Sequence, residues 1–321
     1  MKAKLIVAVM LSWAQFAPVL GQTNPAPAAR SGYSMAYDDS RGVVVLFGGQ
    51  DTASARLGDT WEWHDGVWQQ INITGPGARF NAAMAYDADK HKVVLFGGRA
   101  ETGSQNDLWE YDGKAWVMVK TSAAPPARQL GTMVYDKSQS QFVLFGGMDV
   151  NRKTLDDTWI LKNASWTKLK SNGPSARASQ CMAYNDDMGA VFVYSGYVND
   201  TGSRELWKFK DGKWNTYKDE NGPPRIHASI VFDTDNKRFL LFAGFGDEGR
   251  TNELWEFKDS HWTRRMPGNN PVPETRAEHR AVYIPGKGML VFGGVIGADP
   301  NTRVRANDTW IYYEDKWTKI N

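Results

Sequence analysis

Short apolar runs separated by polar turns recur six times along this chain with one internal grammar. In the second recurrence, residues 82–86 form an apolar run and residues 87–90 a polar turn. Residues 93–96 form a second run, which closes on Gly97-Gly98. A polar stretch over 99–106 leads to Leu108-Trp109-Glu110-Tyr111, and Asp112-Gly113 then opens residues 116–119. Runs of this length bounded by turn residues such as Asp-Gly predict four antiparallel strands joined as hairpins. Asp65-Gly66 and Asp211-Gly212 place the same turn in the first and fourth units. No segment carries a helical period long enough to compete.

The punctuation repeats as strictly as the pattern. Twelve of the fourteen tryptophans form pairs seven residues apart: Trp61/Trp68, Trp109/Trp116, Trp159/Trp166, Trp207/Trp214, Trp255/Trp262 and Trp310/Trp317. An arginine precedes each first strand at Arg30, Arg79, Arg128, Arg177, Arg225 and Arg276, advancing by 49, 49, 49, 48 and 51 residues. The second strand ends on Gly48-Gly49, Gly97-Gly98, Gly146-Gly147, Ser195-Gly196, Ala243-Gly244 or Gly293-Gly294. A period near fifty marks a repeat architecture, and four strands repeated six times predict an all-β, six-bladed β-propeller. Its units span approximately residues 27–72, 76–120, 125–170, 174–218, 223–266 and 273–321.

Within each first strand a bulky position (Met35, Met84, Met133, Met182, Ile230) follows a small one (Ser34, Ala83, Thr132, Cys181, Ser229). Opposite strand faces then allow a bulky face to pack on the neighbour's small one. On this pattern Cys181 is a packing residue. The sixth unit departs with Arg280 and Ala281.

The arginine-led strand, the glycine step and the paired tryptophans resemble Kelch repeats over nearly the whole chain. The resemblance implies a propeller but no single activity, because that family includes oxidases, sugar epimerases and pure binding modules. Many propellers complete one blade with strands from both termini. This chain begins on a first strand and ends on a fourth, so its ring is expected to close by packing.

Residues 1–21 read as a secretory signal, with Lys2 and Lys4 ahead of an apolar stretch and a small-residue cleavage site before Gln22. A secreted or periplasmic location follows as an expectation, with residues 22–321 as the mature propeller. Asn72, Asn163, Asn199 and Asn307 head glycosylation sequons, which matter only in a host that modifies them. The apolar stretch is too short for a membrane span. Removing the leader takes 38 basic residues to 36, against 36 acidic, which leaves no basic footprint for nucleic acid. One cysteine forbids an intrachain disulfide and does not suit a copper-radical oxidase. No metal or cofactor motif occurs, so none is expected.

Residues present in all six units are better explained by the repeat than by one binding event. This includes the acid two residues before each first tryptophan: Asp59, Asp107, Asp157, Glu205, Glu253 and Asp308. Breaks in symmetry are the candidates for chemistry. His227 and His279 stand two and three residues after their unit arginines, flanked in the sixth unit by Glu278 and Arg280. The long loops between second and third strands add Arg99, Arg152, Arg303 and Arg305, whose forks suit carboxylates and sulfates. The candidate ligand set is therefore His227, Arg276, Glu278, His279, Arg280, Arg99, Arg152, Arg303 and Arg305, with Glu278, His279 and Arg280 as candidate proton-transfer groups. The leading expectation is a binding module for a carbohydrate, acidic sugars included, or a peptide. The alternative is a sugar-active enzyme, similar to Kelch propellers that epimerise or mutarotate sialic acid.

Overall fold

The computed structural model describes residues 26–321 except 171, 218–220, 267, 269 and 300. The expected signal lies outside the described residues. No helix occurs among the described residues. The strands form antiparallel sheets ordered as sequential hairpins, the arrangement of a β-propeller. Four sheets have four strands each, and the first runs Ser34–Asp38, Val43–Gln50, Arg56–His64 and Val67–Ile71.

The last two units differ from the expected separate sheets. Their second and third strands continue through the long loops as Arg238–Gly246 with Gly249–Lys258 and Gly288–Ile296 with Val304–Tyr313. The extended ladders reach the short strand Arg276–Ala277, which pairs Thr251 on one side and Val295–Ile296 on the other. Nine strands thereby share one hydrogen-bonded sheet.

The first strands Ser34–Asp38, Ala83–Asp87, Thr132–Asp136, Cys181–Asn185, Ser229–Asp233 and Arg280–Ile284 each neighbour the next, and the last neighbours the first. A closed ring of backbone hydrogen bonds stands just ahead of them. The N–H of Asn81 donates to Gly32 O (2.6 Å), Leu130 to Asn81 O (3.0 Å), Ser179 to Leu130 O (3.1 Å) and His227 to Ser179 O (3.3 Å). Glu278 donates to His227 O (3.1 Å), and Gly32 donates to Glu278 O (3.1 Å) to complete the circle. All six residues adopt left-handed φ between 55° and 64°. Five of them carry a side chain, a strained choice that the circular hydrogen bonding holds in place.

Each unit arginine is held twice. Its guanidinium binds the acid of its own unit, as in Arg128 Nη1 and Nη2 to Asp157 at 2.6 and 2.8 Å, and that acid also accepts the Trp159 indole N–H at 2.7 Å. Arg276 and Asp308 repeat this at 2.8 Å twice, while Arg177–Glu205 and Arg225–Glu253 pair through one nitrogen each. The arginine backbone belongs to the preceding unit: Gly49, Gly98 and Gly147 N–H donate to the carbonyls of Arg79, Arg128 and Arg177 at 2.8–2.9 Å. A Cβ on Gly147 would stand 2.7 Å from Gln129 O, so this step tolerates no side chain.

The second tryptophan of each pair packs against the preceding unit. Trp116 meets Phe47 and its N–H donates to Thr60 Oγ1 at 2.9 Å. Trp214 repeats this with Phe145 and Thr158, and Trp68 with Phe292 and Thr309 across the closure. These second tryptophans are buried, whereas Trp109, Trp159, Trp207 and Trp255 are half-buried. The bulky-on-small expectation also holds: Met133 packs in a cluster with Ala83 and Phe96 of the preceding unit, while Ser34 Oγ donates forward to Ala82 O at 2.9 Å. Cys181 Sγ follows the same rule toward Ala228 O at 3.3 Å.

Trp116→Ala should cost about 3–5 kcal/mol in urea unfolding, as large aromatic truncations in cores do. Trp109→Ala should cost less, because its ring is only partly covered. Acid should also unfold the ring. Burial alone would raise the Asp59, Asp107, Asp157 and Asp308 carboxyls, but their arginine partners outweigh it and hold all four below the usual value. A depressed folded pKa gives stability that is full above the unfolded value of about 3.9 and lost as pH falls through the folded one. Melting temperature should therefore drop below about pH 4, and Asp157→Asn should make that decline shallower.

Candidate functional site

The six residues of the backbone ring form a collar at one mouth of the central channel. Left-handed φ makes these residues turn points, and their side chains differ from unit to unit: Gly32, Asn81, Leu130, Ser179, His227 and Glu278. Asn81 leans across Gly32, where an added Cβ would meet its Oδ1 at 2.8 Å. Ser179 Oγ and His227 Nε2 are 3.3 Å apart. Glu278 accepts from Ser31 Oγ at 2.9 Å and from Arg303 Nη2 at 2.8 Å to both oxygens. Arg303 remains half-exposed, at 50 %.

Electrostatics give the collar defined protonation states. Burial pushes the His227 imidazole below its usual value, with Glu278 opposing, so the ring is neutral near pH 7. Burial would raise the Glu278 carboxyl, but His227, Arg303 and Ser31 together hold it below its usual value and ionised. An ionised carboxylate, a neutral imidazole, a guanidinium, an amide and a hydroxyl therefore share one mouth. Such a set can donate to and accept from hydroxyls and donate to carbonyls, and two of its members can take a proton.

The structure brings together His227, Glu278, Arg280 and Arg303 and removes others from the expected set. Arg276 is a framework arginine, fully buried against Asp308. His279 is also fully buried, edge-on to Phe242 with ring centroids 5.4 Å apart, and both ring nitrogens lack partners. Its position faces the preceding unit. There Gln180 Nε2 donates to Phe145 O at 2.7 Å and the Tyr33 hydroxyl donates to Phe292 O. His279 is thus the sixth unit's version of a packing residue, and it cannot act as a proton-transfer group on a ligand. Arg305 is 5 % exposed, and its Nε donates to Ser31 Oγ at 3.1 Å. Arg152 is exposed on its own turn and Arg99 half-buried on another, and neither bonds to the collar among the described residues.

Sequence reasoning missed Ser31, Asn81 and Ser179. Asn81 and Ser179 stand two residues after their unit arginines, in register with His227 and Glu278, but carry no titratable group to mark them; Ser31 stands one residue after Arg30 and had no such signal.

No model of a known protein family matches the chain, and no curated protein matches it. Among solved structures, "Structure of YjhT" aligns over 92 % of this chain and 99 % of that one, with a TM-score of 0.71 and 13 % identity. At that identity the likeness is one of fold. No described helix is long and apolar enough to cross a membrane, and no cluster of three or more His, Cys, Asp or Glu able to hold a metal occurs among the described residues.

His279→Gln should raise stability by about 1 kcal/mol at neutral pH by restoring the carbonyl contact that Gln180 makes. Burial drives the His279 pKa well below its usual value, with Arg276 and Arg280 adding to the shift. Only the unfolded chain gains that proton, so stability is lost as pH falls through about 6.5. The Gln variant should show a shallower decline between about pH 7 and 5 in urea titrations.

Proposed function

We propose that this chain is an exported, six-bladed Kelch propeller that binds a carbohydrate or a peptide at the collar mouth. The six-membered backbone ring and the six arginine–acid pairs support the blade count and the repeat assignment. One observation carries the functional reading: dissimilar polar side chains converge at one mouth of the channel. Asn81, Ser179, His227, Glu278 and Arg303 meet there, while the opposite mouth is a funnel of about 280 Å³ whose lining repeats a methionine and a tyrosine from most units beside Asp39, Lys137 and Asp186. Departures from symmetry gathered at one place on a repeated scaffold support recognition of a polar ligand.

A second reading, a sugar isomerase of the epimerase or mutarotase kind, draws support from the ionised Glu278 and the neutral His227 in the same mouth. Both are able to accept a proton from a bound sugar.

An array of neutral sugars, acidic sugars and acidic peptides tests the binding reading, with anomer exchange followed by NMR on every hit. Arg303→Ala and Glu278→Gln should each weaken the captured ligand by about 1–3 kcal/mol, the scale of a lost charge-assisted contact. His64→Ala, at an exposed strand end on the opposite side, should change nothing. An array without hits, or affinity that responds to His64 and ignores the collar, overturns the assignment. Accelerated anomer exchange lost in Glu278→Gln would move the assignment to the enzyme reading.

A further inference from the structure

Beneath the collar the channel holds a cavity of about 130 Å³, and one charged side chain lines it. At the corresponding first-strand position the other units carry Ser34, Ala83, Thr132, Cys181 and Ser229. Every one of these able to donate spends its proton on a carbonyl of the next unit. The sixth unit places Arg280 there instead, and its Nη1 donates only to its own neighbour's carbonyl, His279 O, at 3.1 Å. Arg280 makes no ion pair among the described residues. The nearest acid along the chain, Glu278, is committed to Arg303 and Ser31. Cys181 adds no negative charge, because burial pushes its thiol up to about 12.

A guanidinium has five donors and keeps its proton in proteins. Burial works against that charge, Glu278 offsets it only at a distance, and an anion bonded directly to the guanidinium would offset it further. We propose that the channel is an anion site in which Arg280 receives a small oxyanion group: a carboxylate, a sulfate or a phosphate. A planar fork suits such groups. The cavity accepts a group of that size. Ser179 and His227 line both cavity and collar, whereas Met35, Met84, Met133, Met182 and Ile230 join the cavity to the opposite funnel, so the polar lining lies on the collar side. The site stands whether or not the collar binds a ligand of its own. The anion has two sources, a free ion or the carboxylate of a larger ligand reaching down from the mouth.

Calorimetric titration of the purified protein with sodium acetate, sodium sulfate, galacturonate and galactose tests this. Binding of acetate or sulfate that falls about tenfold or more in Arg280→Met, and less in Arg280→Lys, supports the site with a free anion as occupant. Galacturonate binding that is lost in Arg280→Met, with galactose and acetate silent, supports a carboxylate carried by a ligand. Equal anion affinity in wild type and Arg280→Met, or no binding of any anion, overturns the proposal. Should Arg280→Met fail to fold, bromide-soaked wild-type crystals decide: an anomalous peak within hydrogen-bond reach of the Arg280 guanidinium supports the site, and its absence overturns it.

Discussion

The arginine ahead of each inner strand is the constraint on which the rest of the ring depends. Its guanidinium is buried against the acid of its own unit, while its carbonyl accepts from the glycine that ends the second strand of the preceding unit. One residue thereby ties the interior of one sheet to the edge of the next. A buried charge tolerates no vacancy, so the acid must stand two residues before the first tryptophan, and that indole takes up the acid's remaining capacity. The same geometry brings the backbone close enough to exclude a Cβ at the second glycine. Arginine, glycine, acid and tryptophan are thus four statements of one arrangement.

Closure follows from repeating that arrangement until it meets itself. Gly32 receives from Asn81 and donates to Glu278, so the first and last units are joined by the same bond as any other pair. Trp68 reaching Thr309 closes the outer layer in the same way. No strand from one terminus needs to complete a sheet begun by the other. The repeat is less uniform at that outer layer. Where Thr60, Thr158 and Thr309 stand the indole finds a hydroxyl, while Leu108 occupies that position opposite Trp166, whose N–H is buried without a partner. That indole is held by packing, against Phe96 at a ring-centroid distance of 5.0 Å.

Against this uniform background the collar and Arg280 stand out as side chains the framework does not require. His227, Glu278 and Arg280 sit at register positions that other units fill with glycine, asparagine, leucine, serine, alanine, threonine or cysteine. Their polar groups face a shared mouth or cavity instead of a neighbour's carbonyl. Arg303 comes from the extended hairpin of the sixth unit, the same extension that fuses the last two sheets. Loop length and site chemistry are therefore linked: the ladder that lengthens the hairpin also carries a cation back over the mouth.

The strands, their order within each unit, the framework role of the repeated arginines and acids and the packing role of Cys181 were legible in the sequence, because a pattern repeated six times acts as its own control. The site was legible only in part. His227 and Glu278 announced themselves as breaks in symmetry, but so did His279, which folds into the interior, as does Arg305 from among the loop arginines. Period and spacing assign a residue to a strand, whereas the side a strand position faces depends on how adjacent sheets meet. His279 and Glu278 are consecutive, and the left-handed turn at Glu278 sends one into the core and the other to the mouth. The sequence alone determined which residues repeat. The tertiary structure decided which of the exceptions share a space, because that space exists only when distant units close around a common axis.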